Sequence, residues 1–545
     1  MLNKLQKISF LLPLVGFVFT LACQAQTDPV SEDEIQDRDH RFYNVEEALY
    51  DIENCYSLSL DLQNHGGKLP EGIERLTELR HLNLRGNQLK KLPSSLANLK
   101  WLRYLNLEYN ELEEVPEVVF QFPRLQTLIL NQNQITALPE DLGQLNQLKK
   151  LEAYDNKIES LPESMGRLAQ LEELNLHSNK IAGFPRSIGE LDRLKTIIIV
   201  GNDMEVIPES IGDMDSLEYL DIAWNKLTAL PARMSQLNQL TFFNASVNQL
   251  QTLPDLSNCS KIEYLAFSKN QLAEVPEWVC SLSSLEEIYF SWNQITSLPE
   301  CLGNLEEILM AGFHDNLLTE LPEGMGKWNK LVEIDLKNNQ LTALPLGAED
   351  WDLVEKLDLK QNRIAQFPEV TFDMDALRWL FLDDNQITEI PPRIREIYSL
   401  KRLLIGNNQI KELPVELMDL QQLYWLRISG NQFQVFPGFL WEMDGLEDLE
   451  CARNQLTELP PVPFRGSRLY ALDLEGNQLT QLPEGFQFLT LLSNLNLANN
   501  PVETLPAYLE KLPRMRTLNL TGTDLTNFDE DWLTRMEDVI IRDEK

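Results

Sequence analysis

From about Tyr56 onward the sequence recurs every 23 residues, and no other property of the chain constrains its fold so tightly. One clear copy places apolar residues at Leu79, Leu82, Leu84, Leu89 and Leu92, with Asn87 between them and Pro93 at the end. The asparagine returns at every repeat from Asn110 to Asn500, with a single 22-residue step from Asn248 to Asn270, and so appears in 19 copies. His65 and Thr523 stand at its position in the first and last copies, which makes 21 repeats. No repeat of this size can bury its apolar side alone; stacked neighbours must build one continuous core.

Each position has a physical reason. Leu82 and Leu84 alternate, so both point to one side of a short strand, into the core. Leu79, Leu89 and Leu92 fill that core from the flanking turns. The Asn amide sits where the chain leaves the strand and can satisfy buried backbone groups of neighbouring coils. Proline follows the last apolar residue in 20 of the 21 copies, ending the inner segment because it cannot donate to a sheet. The outer segment, for example Ser94 to Leu99, offers two apolar residues three apart, the pattern of a helical turn or short helix.

The pattern LxxLxLxxNxLxxLP resembles the 23-residue class of leucine-rich repeats, found in plant and animal signalling scaffolds and in many bacterial proteins. The resemblance covers about 470 residues. It implies an α/β-type solenoid: a horseshoe of about 21 coils, with a parallel β-sheet on the concave face and short helices or turns on the convex face. Strands about 4.8 Å apart give an inner sheet of roughly 100 Å.

The amino terminus reads differently. Residues 1–22 carry Lys4 and Lys7, then an uncharged apolar stretch from Ile8 to Ala22, the layout of an export signal. Leu21-Ala22-Cys23 resembles the lipobox of bacterial lipoproteins, although Thr20 stands where that family usually has Leu. The resemblance implies a lipid on Cys23 and, since Gln24 is not Asp, an outer-membrane location. An ordinary signal cleaved after Ala22 or Ala25 is the alternative and would give a secreted protein. Residues 23–43 are polar and acidic and are expected to be a flexible tether. Residues 44–55 are expected to form an N-terminal capping helix begun by Asn44. Residues 56–528 are the repeat domain and 529–545 a C-terminal cap, with a short helix over Asp529–Met536 and an apolar edge at Val539–Ile541.

The 84 acidic and 47 basic residues leave a net charge of -37, which repels phosphate backbones and anionic lipid surfaces. Nucleic acid is therefore not an expected partner, and membrane contact is expected only through the lipid. None of the six cysteines forms a CxxC pair. Cys259, Cys280 and Cys301 lie on outer segments of adjacent repeats at different phases, so a bridge there is not demanded; free, buried thiols are expected. No GxxxxGK[ST] or HExxH occurs, His81, His177 and His314 are several repeats apart, and no catalytic set, metal site or cofactor emerges. The expectation is a binding scaffold and not an enzyme.

The concave face exposes residues six, four, two and one before each ladder Asn. Most are polar, but aromatics gather twice. Tyr219, Phe242 and Tyr264 share position -6 in consecutive repeats, with Tyr289 at -4 and Trp224 and Trp292 at the -1 rim. The second group is Trp379, Phe381 and Trp425, with Leu404. Contiguous aromatic patches on a rigid face often mark interfaces, whereas lateral stacking between coils would be purely structural. The reading is recognition of a protein partner on the concave face at a bacterial envelope. A glycan stacking on these rings, or a secreted or intracellular signalling scaffold, are the alternatives.

Overall fold

The computed structural model describes residues 30–36, 40–464, 467–506, 508–509, 512–525 and 540–541. The export signal, Cys23 and the expected helix over Asp529–Met536 lie outside the described residues. The body is one parallel sheet of 23 strands. Strand β1 (Arg41–Phe42) pairs with β2 (Ser57–Ser59), and every later strand pairs with its predecessor up to β22 (Thr517–Asn519) and β23 (Ile540–Ile541). Strands β2 to β22 are the coils; β1 and β23 lengthen the sheet at its two ends. The sheet stays open, and the return path of most coils is a five-residue 3-10 turn such as Glu323–Lys327, entered through Pro322 at φ -64°. This is the leucine-rich-repeat horseshoe, with tight 3-10 turns in place of α-helices on the convex side.

The core is a set of columns. In one coil Leu331, Ile334, Leu336 and Leu341 are fully buried. Trp328 and Trp351 take the outer apolar position in two successive coils and donate their Nε1 protons to the carbonyls of Leu302 and Met325, at 2.9 and 3.0 Å. Between coils runs the asparagine ladder. Asn339 Nδ2 donates to the carbonyls of Phe313 and Leu336, both at 3.0 Å, and of Lys337 at 3.4 Å, while Oδ1 accepts from Leu318 N at 3.0 Å. One carboxamide thus joins its own turn to the coil before it, and the same set recurs along the ladder.

The first end of the ladder departs from the expected register, and the last keeps it. Ser57 pairs with His81, a 24-residue step, which brings Gln63 and not His65 level with Asn87. The extra residue falls after Gln63, where Asn64 takes φ 49°, and Asn87 Oδ1 is left buried without a hydrogen bond. At the other end Thr523 Oγ1 donates to Leu520 O at 2.8 Å, taking over one bond of the missing amide.

The amino-terminal segment differs from a free tether. Glu32–Gln36 forms a short helix α1, with Ile35 fully buried and Val30 nearly so. Glu32 reaches Arg103 at 3.2 Å and His81 at 3.6 Å. Two apolar residues in a polar stretch are too few to register as a fold by composition, yet they suffice to dock against a preformed wall. Val45–Tyr50 follows as α2, with Asn44 Oδ1 accepting from Glu47 N at 2.8 Å.

The cysteines also differ in part. Cys280 and Cys301 lie on adjacent 3-10 turns with Cα atoms 5.6 Å apart and are joined in a disulfide. Their phases differ by two residues, but Cys280 is fourth in its turn and Cys301 second in the next, so the side chains converge on the diagonal. Cys55, Cys259 and Cys451 are free and buried.

Replacing Asn339 by Ala leaves Leu318 N buried without its acceptor and removes one of two donors from the carbonyls of Phe313, Leu336 and Lys337, and is expected to cost about 1–3 kcal/mol in urea denaturation. The exposed Asn329→Ala should stay within about 0.5 kcal/mol of the parent. A cost below about 1 kcal/mol for Asn339→Ala would remove the ladder from the account of stability.

Candidate functional site

The concave face is fixed by strand register. Thr196, Tyr219, Phe242, Tyr264, Glu287 and Met310 form one column across neighbouring strands, and Ile198, Asp221, Asn244, Ala266, Tyr289 and Gly312 the next. Tyr219 and Phe242 stack with centroids 4.1 Å apart and planes 6° from parallel, and Phe242 and Tyr264 at 4.3 Å and 10°. Tyr289 continues the patch, tilted, 5.5 Å from Tyr264. Its hydroxyl donates to Glu287 Oε2 at 2.8 Å. Gly312 makes room for that ring: a Cβ there would sit 2.8 Å from Tyr289 Cδ1. Behind the patch the core is aromatic too, through Phe243, Phe267, Phe290 and Phe313.

Trp224 and Trp292 stand at the rim, 59% and 54% exposed. The residue before each ladder Asn takes positive φ, 56° and 57° at these two tryptophans, because the turn out of the strand needs it. That conformation throws the side chain away from the core, so the exposure follows from the turn; the choice of a large indole there does not. Lys269 Nζ lies 5.4 Å from the Trp224 ring centre, and His314 meets Trp292 edge-on at 6.1 Å.

The second aromatic group is a different object. Trp379 and Trp425 share a column, but Arg402 sits between them in register. Its guanidinium lies 5.0 Å from the Trp425 ring, 5.3 Å from Tyr424 and 6.0 Å from Trp379. Phe381, only 9% exposed, is covered by Lys360 Nζ at 4.3 Å. Trp425 Nε1 donates to Glu450 at 2.9 Å, and Arg427 lies 3.3 Å from Glu450 and 3.6 Å from Asp383. The rings here are occupied by the chain's own cations, which the aromatic count alone did not reveal; listing every residue of the -6 column would have placed Arg402 between the tryptophans.

Several charges elsewhere on the face are paired in the same way: Lys150 lies 2.9 Å from Glu152 and 2.8 Å from Glu173, and Lys356 pairs with Glu333. Asp335, Asp358 and Asp473 in the outward columns form no ion pair among the described residues, and the first patch has two such carboxylates beside its rings. Asp221, beside Tyr219, accepts from Ala223 N at 3.1 Å, but among the described residues no basic side chain forms an ion pair with it or with Glu287. Burial, opposed by that backbone bond and by Asn244, pushes the Asp221 carboxyl up to about 6. Burial also raises Glu287, and it raises the phenols of Tyr219, Tyr289 and Tyr264, the last to about 12. No group of three or more His, Cys, Asp or Glu among the described residues is placed to hold a metal ion.

Comparison with known proteins agrees with this geometry. Family models match residues 95–200 as a leucine-rich repeat region, and residues 78–99, 284–305, 375–433 and 444–502 as leucine-rich repeats. The chain carries leucine-rich repeats, in sequence as in fold. No curated protein matches it by sequence. A leucine-rich-repeat protein of Leptospira interrogans is 24% identical, covers 92% of this chain and 99% of its own, and superposes with a TM-score of 0.51. The Arabidopsis receptor kinase HAESA, solved with a peptide hormone and a co-receptor, is 25% identical over 89% of this chain and 85% of its own, with a TM-score of 0.67. YopM from Yersinia enterocolitica is 24% identical over 85% and 92%, with a TM-score of 0.56.

The raised carboxyl has a defined sign in stability. Asp221 ionises near 3.8 when unfolded and about 6 when folded, so between those values the folded state holds more protons and stability falls as pH rises. Asp221→Asn is therefore expected to be more stable than the parent by about 2 kcal/mol at pH 7.5, with the difference vanishing near pH 4. Urea denaturation at both pH values measures it; equal stability at pH 7.5 would contradict the desolvation of this group.

Proposed function

We propose that this protein is an exported binding scaffold, anchored to a bacterial envelope through a lipid on Cys23, that holds a protein partner on the concave face around Tyr219, Phe242, Tyr264 and Tyr289. The observation that carries the reading is the stacked ring column with two exposed indoles at its rim, whereas the second aromatic group is covered by the chain's own cations. Leaving such a patch in water is unfavourable, and aromatic residues dominate interface energies. HAESA supports the choice of a peptide or protein as occupant, since a solved leucine-rich-repeat receptor holds a peptide hormone in its complex. Trp292 extends the face at the rim of the Tyr289 coil, while Trp379, Trp425 and Phe381 serve the internal network of Arg402 and Lys360 first.

One observation supports export: a disulfide such as Cys280–Cys301 is favoured in an oxidising compartment. Among the described residues no helix is long and apolar enough to cross a membrane. Acyl chains on Cys23, two or more, would anchor the chain stably.

A glycan is the second reading, favoured by the flat, exposed faces of Trp224 and Trp292. In that case short oligosaccharides bind the purified protein and Trp224→Ala abolishes the binding.

Two measurements test the proposal. The mature amino terminus, analysed by mass spectrometry after expression in a lipoprotein-competent bacterium, should begin at an acylated Cys23, and Cys23→Ser should abolish the acylation. A non-reducing peptide map should keep the Cys280 and Cys301 peptides linked. An intact Met1 together with free Cys280 would overturn export. For the face, the triple variant Tyr219→Ala, Phe242→Ala and Tyr264→Ala should lose partner capture from envelope fractions at least ~10-fold, with folding verified by circular dichroism. Unchanged capture would move the interface elsewhere.

A further inference from the structure

The charge pattern at the ring column specifies the partner more closely. Across the six strands from Thr196–Ile198 to Met310–Gly312, the positions pointing out of the sheet carry only two carboxylates, Asp221 and Glu287, and no base. On the entry side the same strands are bordered by Lys195, Glu218, Glu263 and Glu286, with Lys195 paired to Glu218 at 3.6 Å. Lys226 is paired with Asp203, and Lys269 lies over the Trp224 ring. The groups facing Asp221 are Thr196 and Ile198 on one neighbouring strand, Phe242 and Asn244 on the other, and Tyr219 on its own; none is cationic. A carboxylate taken partly out of water without a counter-charge is unfavourable in the free protein and gains from a cation that a ligand supplies.

The floor between the rings and the indole rim is made of small side chains, Ala223, Ser246, Ala266 and Ser268, so an extended chain can lie along the solenoid axis without meeting a projection. Asp221 and Glu287 are three coils apart and two residues apart along the strand direction, about 16 Å in all. Four residues of an extended peptide cover about 14 Å, and long basic side chains at its ends reach the rest. With basic residues four apart, the middle one of the three residues between them shares their face of the extended chain and would lie over Phe242 and Tyr264 while the basic ends reach the two carboxylates.

We propose that the partner enters this face as an extended segment whose guanidinium or ammonium groups pair with Asp221 and Glu287, its intervening apolar residues lying along Tyr219, Phe242 and Tyr264. This rests on the concave-face reading above and would fail separately from it. A neutral or acidic segment is excluded by the same argument, because it would leave the two carboxylates desolvated and unpaired.

The test uses the full chain and four pools of synthetic eight-residue peptides. Each pool varies Leu, Phe, Tyr and Pro at the third to fifth positions and carries Arg, Lys, Gln or Glu at the second and sixth. At pH 7.5 the Arg and Lys pools are expected to bind at least ~10-fold more tightly than the Gln pool, and the Glu pool more weakly still. Asp221→Asn combined with Glu287→Gln should bring the Arg and Gln pools within about twofold of each other. Both substitutions are near-isosteric, and thermal melting confirms that the variant is folded. The Arg advantage should shrink at pH 5, where Asp221 takes up a proton. Equal binding of the Arg and Gln pools, or an Arg advantage that survives the double substitution, overturns this inference and leaves the face a peptide site. No binding by any pool overturns both.

Discussion

Everything in this molecule depends on one buried carboxamide per coil. The ladder asparagine bonds three carbonyls and one N–H at the point where the chain turns out of the sheet, and it reaches into the preceding coil. Backbone bonds between coils run on past the strands, as from Asn338 N to Lys360 O and Gln340 N to Leu318 O, and the ladder supplies the acceptor they leave missing at Leu318 N. The ladder therefore fixes the spacing and register of the coils. Register in turn decides which side chains share a column on the concave face. Tyr219, Phe242 and Tyr264 stack at little more than 4 Å because the strands that carry them are locked level.

The same rigidity explains why charge pairing can be read residue by residue. A column of side chains with fixed spacing either neutralises itself or does not. Arg402 fills the gap between Trp379 and Trp425, and Lys150 bridges Glu152 and Glu173. Around Asp221 and Glu287 nothing of the kind occurs, and the carboxyl of Asp221 is correspondingly hard to ionise. The aromatic column and the unpaired carboxylates coincide on the same coils, and it is this coincidence, more than either feature, that distinguishes the patch from the rest of the face.

Much of this was legible in the sequence because it repeats. A leucine or asparagine that returns every 23 residues must occupy one structural position, so the coils, the core columns and the composition of the ring column follow by counting. What escaped counting depends on a single occurrence. The first coil is one residue longer, and only the pairing of Ser57 with His81 reveals it. Val30 and Ile35 dock a segment that composition marks as tether, because two buried side chains weigh little against its many charges. Cys280 and Cys301 meet across different phases of neighbouring turns. The cation sandwich around Arg402 was available in the register and was hidden by attention to aromatics alone.

The central claim is that the coils bearing Tyr219, Phe242 and Tyr264 form the recognition surface. Photo-crosslinking in the producing cell tests it most directly, with benzoylphenylalanine placed at Phe242 on the concave face or at Gln236 on the convex turn of the same coil. The account predicts a discrete protein adduct from position 242, absent from position 236 and lost when Asp221→Asn and Glu287→Gln are added. An adduct from the convex position alone would contradict it, whereas an adduct from 242 indifferent to the carboxylates would overturn only their part in recognition.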